Sequence, residues 1–114
     1  MNKLTGFVVS VALLGAMLFG LGNVYKYEIY QAAINFEADL SDLKEKDIDI
    51  SIGEIVYFEN SQVDKKPSVL LVHGFGANKE NWLRFSRSFK EDYHVVAVDL
   101  PGHGKSLNSF DLNY

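Results

Sequence analysis

The stretch that decides the fold runs from Ser68 to Ser106: SVLLVHGFGANKENWLRFSRSFKEDYHVVAVDLPGHGKS. Its two apolar runs, Ser68 to His73 (SVLLVH) and Tyr93 to Asp99 (YHVVAVD), suit strands covered on both faces in a parallel sheet. Between them, Asn78 can cap a helix and Glu80 falls in its first turn. Trp82, Phe85 and Phe89 then share one face as far as about Lys90. Strand, helix and strand with short connections predict a βαβ unit.

The loops that follow the two strands carry the chemistry. His73-Gly74-Phe75-Gly76 lies where the first strand ends and before the helix begins, the position at which open α/β sheets place their sites. Glycines on either side of Phe75 let the backbone turn sharply and approach a ligand, which exposes a backbone N–H. Gly74-x-Gly76 could open a dinucleotide fingerprint, but Lys79 occupies the third glycine position. After the second strand, Gly104-Lys105-Ser106 imitates the end of a Walker A loop. There Asp99 stands where the leading glycine should be, and Leu107 to Tyr114 shows no apolar periodicity of a following helix. A third reading uses the Phe75 N–H as one donor to a developing oxyanion, and His73 as a structural residue that orders the loop.

Working outward toward the N-terminus, Asn60 to Pro67 (NSQVDKKP) reads as a polar loop, and Ile55 to Glu59 as a strand. Ile48, Ile50 and Ile52 alternate with Asp49 and Ser51, as in a half-buried strand, with the break expected at Gly53-Glu54; together the two strands form a hairpin. The charged run Lys44-Glu45-Lys46-Asp47 marks a boundary, so the globular domain is expected over 47–114. Before it, Ile29, Ala33, Phe36, Leu40 and Leu43 form the stripe of an amphipathic connector helix within 25–46, too short for a sustained coiled coil.

Residues 1–24 are different in character. Leu4 to Val24 holds no charge and reaches the ~20 residues that cross a bilayer. Lys3 precedes it and acidic residues outnumber Lys26 just beyond it, which favours a single-pass anchor with the C-terminal part extracytoplasmic, periplasmic in a bacterium. The alternative is a cleaved signal peptide read at Gly20-Leu21-Gly22, leaving a secreted protein.

Over the whole 114 residues, 47% are hydrophobic and 23% charged, within the globular range. A net charge of −4 without any Lys/Arg run gives no nucleic-acid footprint. There is no cysteine, hence no disulfide or thiolate site, and the three histidines are scattered without metal-ligand spacing. Neither metal nor cofactor is expected.

Taken together, HGFGANKENW, a helix and YHVVAVDLPGHGKS resemble the N-terminal half of the α/β-hydrolase core, over about Ile48 to the end. Within that superfamily the chain is similar to the lipase and esterase branch, especially bacterial enzymes with an N-terminal anchor. The resemblance implies a mainly parallel sheet that begins as an antiparallel hairpin. It also implies an oxyanion loop at Gly74 and Phe75, Asp99 to Ser106 as its rim, and an ester or lipid substrate attacked by a serine. That serine belongs to a G-x-S-x-G elbow, followed by an acid and a histidine, and none of these is identifiable in the 114 residues. Ser51 and Ser106 lie in imperfect versions of the pattern and in the wrong context. The chain alone is therefore expected to be inactive, the oxyanion half of a site. The alternatives are a non-catalytic anchored fragment, or another chemistry of the superfamily such as dehalogenation.

Overall fold

A helix, α1 (Lys3–Val24), begins at Asn2, whose side-chain oxygen accepts from the Thr5 N–H at 2.8 Å. The computed structural model describes residues 2–106, so the stretch 107–114, whose lack of helical periodicity weighed against a Walker A loop, lies outside the described residues. The chain divides into two compact units, Met1–Ala33 and Ile34–Tyr114. In the first, α1 is long and apolar enough to cross a membrane, and none of its residues is buried. The helix α2 (Lys26–Leu40) begins in this unit and ends in the second.

The second unit is built on a four-stranded mixed sheet: β1 (Lys44–Ile50), β2 (Gly53–Glu59), β3 (Ser68–Val72) and β4 (His94–Val98), in the order β1-β2-β4-β3. β1 and β2 form an antiparallel hairpin, β2 is antiparallel to β4, and β3 runs parallel to β4. The α/β class and the hairpin followed by a βαβ unit are as the sequence implies. Because β3 lies on the far side of β4 from β2, the chain after β2 must pass the place β4 will fill. Asn60 secures that passage: its buried amide donates to Lys90 O and Tyr93 O and accepts from the Val95 N–H at 2.9 Å.

Several local expectations change. The hairpin turn is Ser51-Ile52, with Gly53 already paired to Ile50, so β1 starts at Lys44 and takes in the charged run read as a boundary. β1 is exposed along its length, as an edge strand paired with β2 alone among the described residues. β3 buries Leu71 but leaves Leu70 62% exposed, so one face is covered rather than two. The expected helix to Lys90 shrinks to a 3₁₀ turn (Lys79–Trp82) and one short helix, α3 (Leu83–Ser86). Beyond it, the Arg87, Ser88 and Phe89 N–H groups bond three residues back, and Ser86 Oγ donates to Trp82 O. The stripe of α2 is also offset. Ala38 and the following Ser41 are buried, whereas Phe36 and Leu40 are exposed. Ser41 Oγ donates to Leu83 O at 2.5 Å, which fixes the end of α2 on α3 through a polar contact that hydrophobic periodicity ignores.

The core joins Ala38, Leu43, Phe58, Leu71, Leu83, Val95 and Ala97, with Trp82 and Phe89 against it. Trp82, Phe85, Phe89 and Tyr93 continue as a chain of tilted and edge-on rings 4.9–6.0 Å apart.

Candidate active site

Parallel pairing of Val72 with Val98 brings the ends of β3 and β4 level, so the loops that begin at His73 and Asp99 lie side by side. The first turns at Gly74-Phe75-Gly76, closed by the Ala77 N–H donating to Gly74 O at 3.2 Å. Gly76 has φ +71, a left-handed conformation that explains the glycine. The Phe75 side chain is fully exposed, and its N–H donates to no acceptor among the described residues.

His73 is buried between the loops. The Leu100 N–H can only donate, so His73 Nε2 accepts from it at 3.0 Å. The ring proton therefore sits on Nδ1, which donates to Gly74 O at 2.9 Å. One imidazole thus fixes both the start of the Phe75 turn and the backbone of the neighbouring loop, with the His103 ring 5.0 Å away.

Asp99 is fully buried, and its carboxylate accepts from three directions: the Lys79 N–H at 2.7 Å, Lys79 Nζ at 2.7 Å and the Lys105 N–H at 2.9 Å. Lys79 is 1% exposed. Its Nζ also lies 3.2 Å from Glu45 and 5.0 Å from the centre of the Phe58 ring. Glu45 in turn pairs with Lys105 at 2.6 Å. Burial works to raise the Glu45 carboxyl, but the hydrogen bond from Lys105 and the charge of Lys79 outweigh it and hold the group below its ordinary value. Ser106 is buried too; its hydroxyl donates to Asp99 O and accepts from the Val56 N–H, so it tethers the loop to β2.

His73, Gly74, Phe75 and Gly76 therefore meet the Asp99–Ser106 loop at one end of the sheet. His94 does not join them. It opens β4 at the other end, where it bonds Glu59 at 2.8 Å and Ser68 at 2.9 Å. No group of three or more residues that could hold a metal occurs among the described residues. The sequence reading noticed Lys79 only as a residue displacing a glycine. Its pairing with Asp99 spans 20 positions, and no periodicity encodes it. Lys79 stands among Asn78, Glu80 and Asn81, a polar setting that gives no local signal of its burial.

Comparison with known proteins bears on the fold and the family. The sequence pattern of the alpha/beta hydrolase family matches residues 69–113. Lipase 1 of Psychrobacter immobilis is 40% identical over 85 residues, covering 74% of this chain and 26% of that protein. Lipase 3 of a Moraxella species is 39% identical over the same length and shares. A crystal structure of a membrane phospholipase A, described as a bacterial virulence factor, superposes with a TM-score of 0.68 at 39% identity. That match covers 92% of this chain and 33% of the phospholipase. The chain thus spans about a quarter of the length of the curated relatives it matches, 26% in each of the two lipases.

Proposed function

We propose that this chain is part of an α/β-hydrolase, a reading supported by the family pattern over residues 69–113 and by its lipase relatives, and that it supplies the oxyanion side of an enzyme that hydrolyses carboxylic esters of lipids. The observation that carries this reading is the N–H of the fully exposed residue Phe75, which lacks a protein acceptor among the described residues and stands just beyond β3, a strand that buries Leu71. In the reaction, a serine outside the stretch described here attacks the ester carbonyl, and the carbonyl oxygen gains negative charge. The Phe75 N–H donates to that oxygen, and the alcohol leaves to give an acyl-enzyme that water then hydrolyses. Gly74 and Gly76 shape the turn, and His73 holds it against Leu100. The lipases among its relatives support an ester substrate.

The experiment uses the intact protein. It should turn over a short-chain ester, and a serine-directed inhibitor should abolish that turnover. Residues 1–114 alone should show none. Phe75→Ala keeps the N–H and should retain appreciable activity. Phe75→Pro deletes it and should lower kcat by on the order of 10² to 10³, as removal of one oxyanion donor does. Folded state is checked by circular dichroism. A folded proline variant as fast as the alanine variant would move the oxyanion donor elsewhere.

The proposal extends to location. α1 would serve as a single-pass anchor, with Lys3 on the cytoplasmic side and the hydrolase domain outside; a cleaved signal would instead release that domain. The division into anchor (1–24), connector (25–46) and hydrolase domain (47–114) belongs to the same proposal.

A further inference from the structure

The Phe75 turn is short and exposed, yet both of its ends are fastened to consecutive residues of the neighbouring loop. At the near end His73 links Gly74 O to the Leu100 N–H. At the far end Lys79 grips Asp99 twice, backbone N–H to Oδ1 and Nζ to Oδ2, each at 2.7 Å. We propose that Lys79 is a positioning residue for the oxyanion donor: its paired grip on Asp99 fixes the far end of the turn and so the direction of the Phe75 N–H. The assignment rests on the hydrolase reading above.

Lys79 has no access to substrate. It is 1% exposed, and its ammonium is taken up by Asp99 and Glu45 above the face of Phe58. Bulk stability does not by itself account for the pair, because an apolar pair of similar volume commonly holds a core as well as a buried ion pair. What the charges add is direction. Asp99 is itself held by the Lys105 N–H and has Gly104 pressed against its carboxylate, so it offers Lys79 a fixed point. From that point to Phe75 there are only Gly76, Ala77 and Asn78, and Asn78 is committed to the Glu80 N–H at 2.9 Å. A shift of Lys79 therefore travels into the turn with little chain to absorb it. A misplacement of about 1 Å at a catalytic group costs about 10²-fold in rate.

The test uses the intact enzyme and three variants: Lys79→Met, Lys79→Arg, and the double variant Lys79→Met/Asp99→Asn, which leaves no buried charge unpaired if the single variant fails to fold. Three quantities are measured: kcat and KM for an ester, the rate preference for that ester over its thionoester, and amide hydrogen exchange across 74–78. The thionoester reports on the oxyanion site directly, because sulfur is larger and accepts a hydrogen bond poorly. Expected for a folded methionine or double variant is a kcat lower by roughly 10- to 100-fold with KM little changed. The ester preference should shrink and exchange at 74–78 should quicken, with partial recovery of both in Lys79→Arg.

A folded double variant with the wild-type kcat and ester preference overturns the assignment. So does a lower kcat with preference and exchange unchanged, which would make Lys79 merely structural. If the wild-type enzyme turns over no ester, the hydrolase reading fails by itself. Exchange at 74–78 then still decides the clamp: faster exchange in the variants upholds it, unchanged exchange overturns it.

Discussion

Gly104 has no room for a side chain. At φ +50 it lies in the left-handed region, and a Cβ there would stand 2.4 Å from the carboxylate atoms of Asp99. Asp99 cannot withdraw, because Lys79 and the Lys105 N–H hold it. Gly104→Ala should therefore cost about 3 kcal/mol or more, combining left-handed strain with disruption of a buried ion pair. Gly102 is a fair control. It is also left-handed, at φ +77, but nothing lies within 4 Å of its Cβ position, so Gly102→Ala should cost only about 1–2 kcal/mol. Chemical denaturation of the two variants checks the order; equal losses would mean that Asp99 is free to move. In the sequence both residues read alike, as glycines of a turn motif. Their difference comes from what the fold places beside them, a carboxylate for Gly104 and open space for Gly102.

At the scale of an element, α2 shows how weakly a short stripe fixes a helix face. Ala38 is packed into the core while Phe36 is exposed, so Phe36→Ser should change stability by no more than about 0.5 kcal/mol. Ala38→Leu should overfill the site and cost about 1–3 kcal/mol. Thermal melts of both variants test the orientation, and a larger loss for Phe36→Ser would restore the stripe read from periodicity. Two residues past the end of the helix stands Asp42, a non-glycine residue at φ +56 whose carboxylate accepts from the Ser61 N–H and hydroxyl. The hydrogen bond from the Ser61 hydroxyl lowers the Asp42 carboxyl below its ordinary value; Lys46 does the same for Glu59, as do Lys105 and Lys79 for Glu45. A carboxyl depressed by folding stabilises the native state above its unfolded value of about 4. That stabilisation is lost as pH falls through the lower folded value. Tm should therefore drop on acidification below about pH 4, and more gently in Asp42→Asn, which cannot titrate there. A variant with the same acid response as wild type would remove Asp42 from this account.

Across the whole molecule, the proposed orientation makes a sharp expectation, because Lys3 and the acidic residues after α1 lie on opposite sides of one apolar helix. A reporter fused after Asn60 in the living cell should be active outside the cytoplasm and silent within it. Cytoplasmic activity would reverse the orientation, and a soluble product with a new N-terminus near Asn23 would favour signal cleavage. The same scale explains the exposed faces of the sheet. β1 and β3 are its edges among the described residues, and Leu70 and Val72 on β3 are open while Leu71 on the other face is covered. Alternation along β3 says only that one side is apolar and so is the other. Which of them is packed depends on which layers are present.

The order of apolar runs, the caps and the two glycine loops are local features, and they determined much by themselves: an uncharged span, a hairpin, a βαβ unit, and a turn at Gly74-Phe75-Gly76 after the first parallel strand. Each depends on residues near one another in the chain, whose propensities and periods act over a few positions. Tertiary structure decided the rest. The 3₁₀ winding after Asn78 replaces a regular helix, with Ser86 and its neighbours bonding over shorter steps. Ser41 reaching Leu83 turned α2 onto a face its apolar stripe did not indicate. The parallel register of β3 and β4 brought Lys79 to Asp99, and the strand order β1-β2-β4-β3 brought Glu45 on β1 to Lys79, residues far apart in sequence whose attraction to the lysine depends on burial in a common site. A charge pair of that kind has no period to read, because its partners are chosen by distance in space and by the low dielectric around them.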